Sequence, residues 1–174
     1  YEKVSDLSWK ITRLLEATNL VEIYTEKGTN VRLSLKGRKP AIPPDDGLYR
    51  EKGRWGNLPA GDAFIAPVEE SIEGIVVIDG SMATLGLLAE PIRLTIQRGR
   101  TVKIEGGREA EELSRFLEEL SDPYAYWVGE LGIGTDEKAR LTGNILEDEK
   151  ALRTVHIALG MNVSIGGKVE SKTH

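Results

Sequence analysis

Apolar residues recur at helical spacing at the start of the chain. Val4, Leu7, Ile11, Leu14 and Leu15 predict an amphipathic helix over residues 4–18, with Asn19 as its stop. The period then changes to two. Leu20-Val-Glu-Ile-Tyr24 and Asn30-Val-Arg-Leu-Ser-Leu35 alternate apolar and polar positions around Glu26-Lys-Gly-Thr29, which predicts a β-hairpin. Further strands are expected at Gly74–Ile78, Ile92–Ile96 and Thr101–Glu105, the last two joined by a tight turn at Gln97-Arg-Gly-Arg100. Between them, Asp79–Ala83 and Leu85–Glu90 break the alternation and read as loop. Arg108–Leu120 carries Ala110, Leu113, Phe116, Leu117 and Leu120 behind an acidic first turn, the clearest helix of the chain, and Asp122-Pro123 ends it. Ala125–Leu131 reads as a short strand, Asn144–Arg153 as a short acidic helix, and Val155–Leu159 as a β-branched strand closed by Gly160. The sum is an α+β fold: a mixed, largely antiparallel sheet with a few packed helices, in a single domain over 1–174.

One stretch fits neither period. Residues 36–61 are rich in Pro, Gly and charge, and a connection that long inside a compact domain is usually functional or mobile. Its end, Asn57-Leu-Pro-Ala-Gly-Asp62, delivers a carboxylate from a stiff turn just before Ala63-Phe-Ile-Ala-Pro67. Taken alone, Asp62 reads as a turn cap. In that position it can equally be presented into a site.

Composition narrows the chemistry. The chain of 174 residues has a net charge of −5 and no basic block, which argues against a nucleic-acid surface. With no signal peptide and no apolar run of spanning length, it is read as cytoplasmic and free of the membrane. Absence of cysteine excludes disulfides, thiolate metal sites and a Cys nucleophile. A single glutamine, Gln97, beside many Glu, Lys and Arg hints at a thermophile. Asn162-Val-Ser164 matches a glycosylation sequon that, without secretory features, reads as chance. The start on Tyr1 reads as a piece of a longer protein.

Any metal must therefore use imidazole and carboxylate. The two histidines, His156 and His174, both fall in the closing window around Gly160 and Gly166-Gly167. Gly132-Ile-Gly134 could suggest a phosphate cradle, but the third glycine and a following Gly-Lys-Ser/Thr are missing. Glu130 stands out beside those glycines, because an acid on a buried strand needs a cation, a metal or several hydrogen bonds. Asp62, Glu130, His156 and His174 are thus the candidate ligands, a set suited to zinc, cobalt, manganese or iron(II). They form no local motif such as His-Glu-x-x-His.

Their order carries a resemblance. Asn57–Asp62 with Ala66-Pro67, then Gly129-Glu130-Leu-Gly-Ile-Gly134-Thr-Asp136, then Val155-His156-Ile-Ala-Leu-Gly160, then Gly166-Gly167 and His174 resemble the C-terminal part of the aminopeptidase T (thermophilic metallo-aminopeptidase, leucyl aminopeptidase-like) family. That group includes relatives resembling 2,5-dihydroxypyridine 5,6-dioxygenase. The resemblance implies a two-domain, typically dimeric metalloenzyme acting on a peptide or small-molecule substrate. It assigns metal binding to Asp62 (usually Glu in the aminopeptidases), Glu130, His156 and His174, with an Asp expected after His174. It also places a catalytic Tyr where this chain has Val163.

As an aminopeptidase-like hydrolase, the site would hold two divalent ions (Zn, Co or Mn) about 3.5–4 Å apart around a bridging hydroxide. Glu130 would be its catalytic carboxylate. Loss of the Tyr hydroxyl would remove an oxyanion donor of a kind worth about 2.7–4 kcal/mol. The alternatives are a mononuclear iron(II) dioxygenase-like site and a non-catalytic relative. A fragment ending at His174 is expected to be inactive by itself.

Overall fold

The structure, a computed structural model, describes residues 1–173. Helix α1 (Glu2–Ala17) precedes the hairpin of β1 (Leu20–Tyr24) and β2 (Asn30–Ser34), whose register pairs Leu20 with Ser34 and Tyr24 with Asn30. Beyond the long connection come β3 (Asp62–Ile65), β4 (Glu73–Ile78), a small ribbon of β5 (Ser81–Met82) and β6 (Gly86–Leu87), then β7 (Ile92–Gln97) and β8 (Arg100–Glu105). Helix α2 (Arg108–Glu119), β9 (Val128–Gly134), the short α3 (Ile145–Asp148) and β10 (Val155–Leu159) complete the order.

Two antiparallel sheets result, one ordered β1-β2-β4-β7-β8 and the other β10-β9-β3. The fold class is the α+β arrangement that the periodicity predicts. In β7 the alternation is complete: Ile92, Leu94 and Ile96 are buried while Arg93 and Gln97 are exposed. Those residues share one core with Val31, Leu33 and Leu35, with Leu113 and Leu117 of α2, and with Ala63, Ile65, Val128 and Leu131 of the smaller sheet. Each fully buried Leu or Ile contributes roughly 1.5–3 kcal/mol, so the two sheets are held by apolar burial. Among the described residues no helix is long and apolar enough to cross a membrane.

Four expectations change. In α1, Leu14 is exposed and Ser5, Ser8 and Thr12 are buried with Val4 and Leu15. The reason is polar pairing: Ser5 donates to Asp46, Ser8 bonds Thr135 at 2.7 Å, and Thr12 donates to the Ser8 carbonyl. The segment read as loop at 79–90 contains the β5–β6 ribbon. The strand expected from Ala125 starts at Val128, because Pro123–Tyr126 forms a 3-10 turn capped by Asp122, and it runs on through the glycines to Gly134. The acidic helix expected over 144–153 stops at Asp148, which folds back to accept the backbone N–H groups of Thr142 and Gly143.

Candidate metal centre

The smaller sheet places the candidate ligands. Residues directly opposite one another in antiparallel strands share a face. Asp62 faces Gly134, Gly132 lies between Phe64 and His156, and Glu130 faces Ala158. One face of β3-β9-β10 therefore carries Asp62, Phe64, Glu130 and His156. The other carries Ala63, Ile65, Leu131, Ile133 and Ile157 into or against the core. Glycine at 132 leaves bare strand for the imidazole, and a β-carbon there would collide with the His156 ring. At Gly134 the bare strand instead receives the Ala151 carbonyl. The Asp136 N–H donates to the Lys150 carbonyl (2.8 Å) and the Leu152 N–H to the Asp136 carbonyl (3.0 Å), which pins residues 149–151 beside Asp62.

The side chains then converge. Lys150 Nζ is 2.9 Å from Asp62 Oδ2 and 3.4 Å from both Asp45 Oδ2 and Glu149 Oε2. His156 Nε2 lies 3.2 Å from Glu130 Oε1 and 3.8 Å from Asp62 Oδ2. Asp62, Glu149 and His156 each offer a donor atom, all within 4.8 Å of one another. Asp62 Oδ1, Asp45 Oδ2 and His156 Nδ1 are buried without a hydrogen-bond partner among the described residues. Buried polar atoms ordinarily have partners. Bare carboxylate oxygens beside imidazole are what a divalent cation takes up, so the residues present fit a metal.

Electrostatics point the same way. Burial pushes the Asp62 carboxyl up to about 6, against the pull of Lys150 and His156. Burial opposes the charge on Lys150, but Asp62, followed by Glu149 and Asp45, outweighs it and holds the ammonium above the ordinary lysine value. Lys150 is 2% exposed, so its charge is answered by these carboxylates and hardly by water.

Of the four ligands expected from sequence, three meet here. Asp62 is buried at the start of β3 and pairs with Lys150, beyond a turn cap's role. His156 lies at the centre. Glu130 sits in mid-strand, its Oε1 3.2 Å from the same His156 nitrogen, Nε2, that faces Asp62. His174 lies outside the described residues. Sequence reading missed Glu149, Lys150 and Asp45. The available signal was weak: Glu147-Asp-Glu-Lys150 resembles any solvated helix end, and Asp45 lies in the Pro-rich connection. Asn162 is fully buried and accepts the Val169 N–H at 2.8 Å, so the fold does not present its side chain at the surface.

Comparison with known proteins follows the same lines. The model of the NicX, 2,5-dihydroxypyridine 5,6-dioxygenase, family matches residues 5–169. The chain belongs to that family. It is 30% identical over 173 residues to 2,5-dihydroxypyridine 5,6-dioxygenase of Pseudomonas putida, which covers 92% of this chain and 49% of that protein. It is 34% identical over 109 residues to Aminopeptidase T of Thermus thermophilus, covering 60% of this chain and 26% of that one. The solved structure of the P. putida dioxygenase superposes with a TM-score of 0.88 at 25% identity, over 100% of this chain and 53% of that chain. Aminopeptidase T from T. thermophilus gives 0.75 at 24%, over 99% and 47%, a likeness of fold alone. The chain thus spans about half the length of the dioxygenase. The resemblance read from sequence holds at family level, with its order of preference reversed: the dioxygenase relationship is the stronger.

Proposed function

We propose that the chain forms the metal-binding part of an oxygenase that opens a hydroxylated pyridine-type ring, with iron(II) held by Asp62, Glu149 and His156. The observation that carries this reading is the meeting of those three donors within 4.8 Å in a chain of that family. Bound iron(II) would supply open coordination positions for dioxygen and for a ring hydroxyl. The chain's own residues do the rest. Glu130 adds a further carboxylate 3.2 Å from His156 Nε2. Lys150 offsets part of the charge of Asp45, Asp62 and Glu149.

A cavity of ≈ 330 Å³ opens beside the cluster, with Asp45 in its wall and Pro43, Tyr49, Arg54, Trp55 and Phe64 around it. That is the lower end of small-ligand pockets. Flat aromatic and proline surfaces suit a planar ring, and the Arg54 guanidinium suits an oxygen that becomes anionic. Burial first, and Asp45 next, push the Tyr49 phenol upward, so it stays a neutral hydroxyl that donates to Asp45 Oδ1 at 2.8 Å.

The relationship to Aminopeptidase T supports a second reading, a metal-dependent aminopeptidase. Val163, partly exposed in a 3-10 turn, has no hydroxyl to offer a tetrahedral oxyanion, and this counts against it. The experiment is a paired assay on the full-length protein. Anaerobic loading with iron(II) and addition of dioxygen should consume 2,5-dihydroxypyridine with matching oxygen uptake. Hydrolysis of Leu-p-nitroanilide by the zinc or cobalt form, with no ring loss in the iron form, would overturn the oxygenase reading. We propose further that the full-length protein is a homodimer, which light scattering would test.

A further inference from the structure

We propose that the Lys150 ammonium is a tethered cation that fills one of two cation positions in the carboxylate cluster, so that the centre accepts a single divalent ion. The inference rests on the metal-binding reading above and concerns how many ions that site takes. Lys150 Nζ touches three carboxylates, Asp62 at 2.9 Å and Asp45 and Glu149 at 3.4 Å. Two of these, Asp62 and Glu149, are also donors of the cluster that includes His156. An ion bound by Asp62, Glu149 and His156 would therefore share Asp62 and Glu149 with the ammonium. A second ion on the Asp45 side would need the volume that Nζ occupies.

Charge leads to the same count. Among the described residues, Asp45, Asp62, Glu130 and Glu149 face one ammonium, a net of three negative charges beside the His156 imidazole, which ligates a metal only in its neutral form. One divalent ion leaves the cluster slightly negative, whereas two would make it positive with the ammonium still in place. Backbone geometry holds Lys150 there: Asp136 takes its carbonyl, and Asp136 and Ala151 form a parallel bridge. Its side chain is almost wholly enclosed, so it has no solvent-exposed alternative without local unfolding.

The test is metal stoichiometry in the full-length protein, with manganese(II) as the probe, read by elemental analysis and by electron paramagnetic resonance. A lone manganese gives an uncoupled six-line signal and a pair gives a spin-coupled one. Wild type is expected to hold one ion per chain with the uncoupled signal. Lys150→Met should raise the ratio to two and bring in the coupled signal, while Lys150→Arg should stay at one. Two ions in wild type, or one in Lys150→Met, would overturn the inference and leave the metal site standing. The wild-type ratio needs no variant, so a Lys150→Met protein that does not fold still leaves the proposal open to refutation. Uptake of no ion by wild type and by Lys150→Met would overturn the metal-binding reading itself.

Discussion

The His156 imidazole lies across Gly132, its register partner on the neighbouring strand, in space that a methyl group would fill. The glycine-rich strand is thus a platform for a ligand. Its φ is not in the left-handed region, so a substitution there acts through the added side chain alone.

Gly132→Ala should therefore leave the sheet intact and displace His156. Manganese(II) affinity is expected to fall by roughly 10–100-fold, the scale of losing a ligand's support, with far-UV circular dichroism unchanged. Wild-type affinity measured by isothermal titration would refute the placement.

Lys150 answers one buried carboxylate, Asp62, and two part-buried ones, Asp45 and Glu149. Removing it in Lys150→Met leaves Asp45, Asp62 and Glu149 uncompensated, a change that should cost about 3–5 kcal/mol in the metal-free protein. Urea unfolding measures this, and saturating manganese(II) should restore much of the loss. A variant as stable as wild type without metal would show that the carboxylates are not enclosed as described.

The Asp62 carboxyl sets a pH dependence. Its folded value, about 6, lies above the ordinary aspartate value of 3.8. Its contribution to stability is therefore fully present below 3.8 and is lost as pH rises through about 6. The difference corresponds to roughly 3 kcal/mol. Metal-free protein should accordingly gain stability between pH 7 and pH 4, as followed by urea midpoints. Metal binding needs the ionised carboxylate, so manganese(II) affinity should drop below about pH 6. An affinity that is flat between pH 5 and pH 7 would refute the assignment of Asp62 as a ligand.

Asp46 ties the long connection to α1. It accepts from Ser5 at 3.1 Å, Trp9 at 3.3 Å, Arg54 at 2.7 Å and the Leu48 N–H at 3.0 Å. Burial alone would raise its carboxyl, but these donors hold it below the usual carboxylate range. Asp46→Asn should cost about 1.5–3 kcal/mol, the scale of a hydrogen bond to a charged group. It should also make residues 48–57 more sensitive to limited proteolysis. Unchanged cleavage would mean that other contacts fix the segment.

The first helix, both antiparallel hairpins and α2 were legible in the sequence because each obeys a local period, as Ile92–Ile96 and Ala110–Leu117 do, whereas β3 and the β5–β6 ribbon, too short to show a period, were not read as strands. Asp62, Glu130 and His156 were legible as candidates because glycine, proline or β-branched neighbours set each of them apart from a solvated surface. Which acid joins His156 was a tertiary matter. Glu149 and Lys150 follow a helix that stops at Asp148, and only pairing with Asp136 turns them inward. The rotation of α1 was likewise decided by Asp46 and Thr135, distant partners that make Ser5 and Ser8 better buried than Leu14. Local pattern fixes which face of a strand a residue takes. The net charge of a site, and whether a lysine sits inside it, depend on segments far apart in the chain that meet only when the sheet closes.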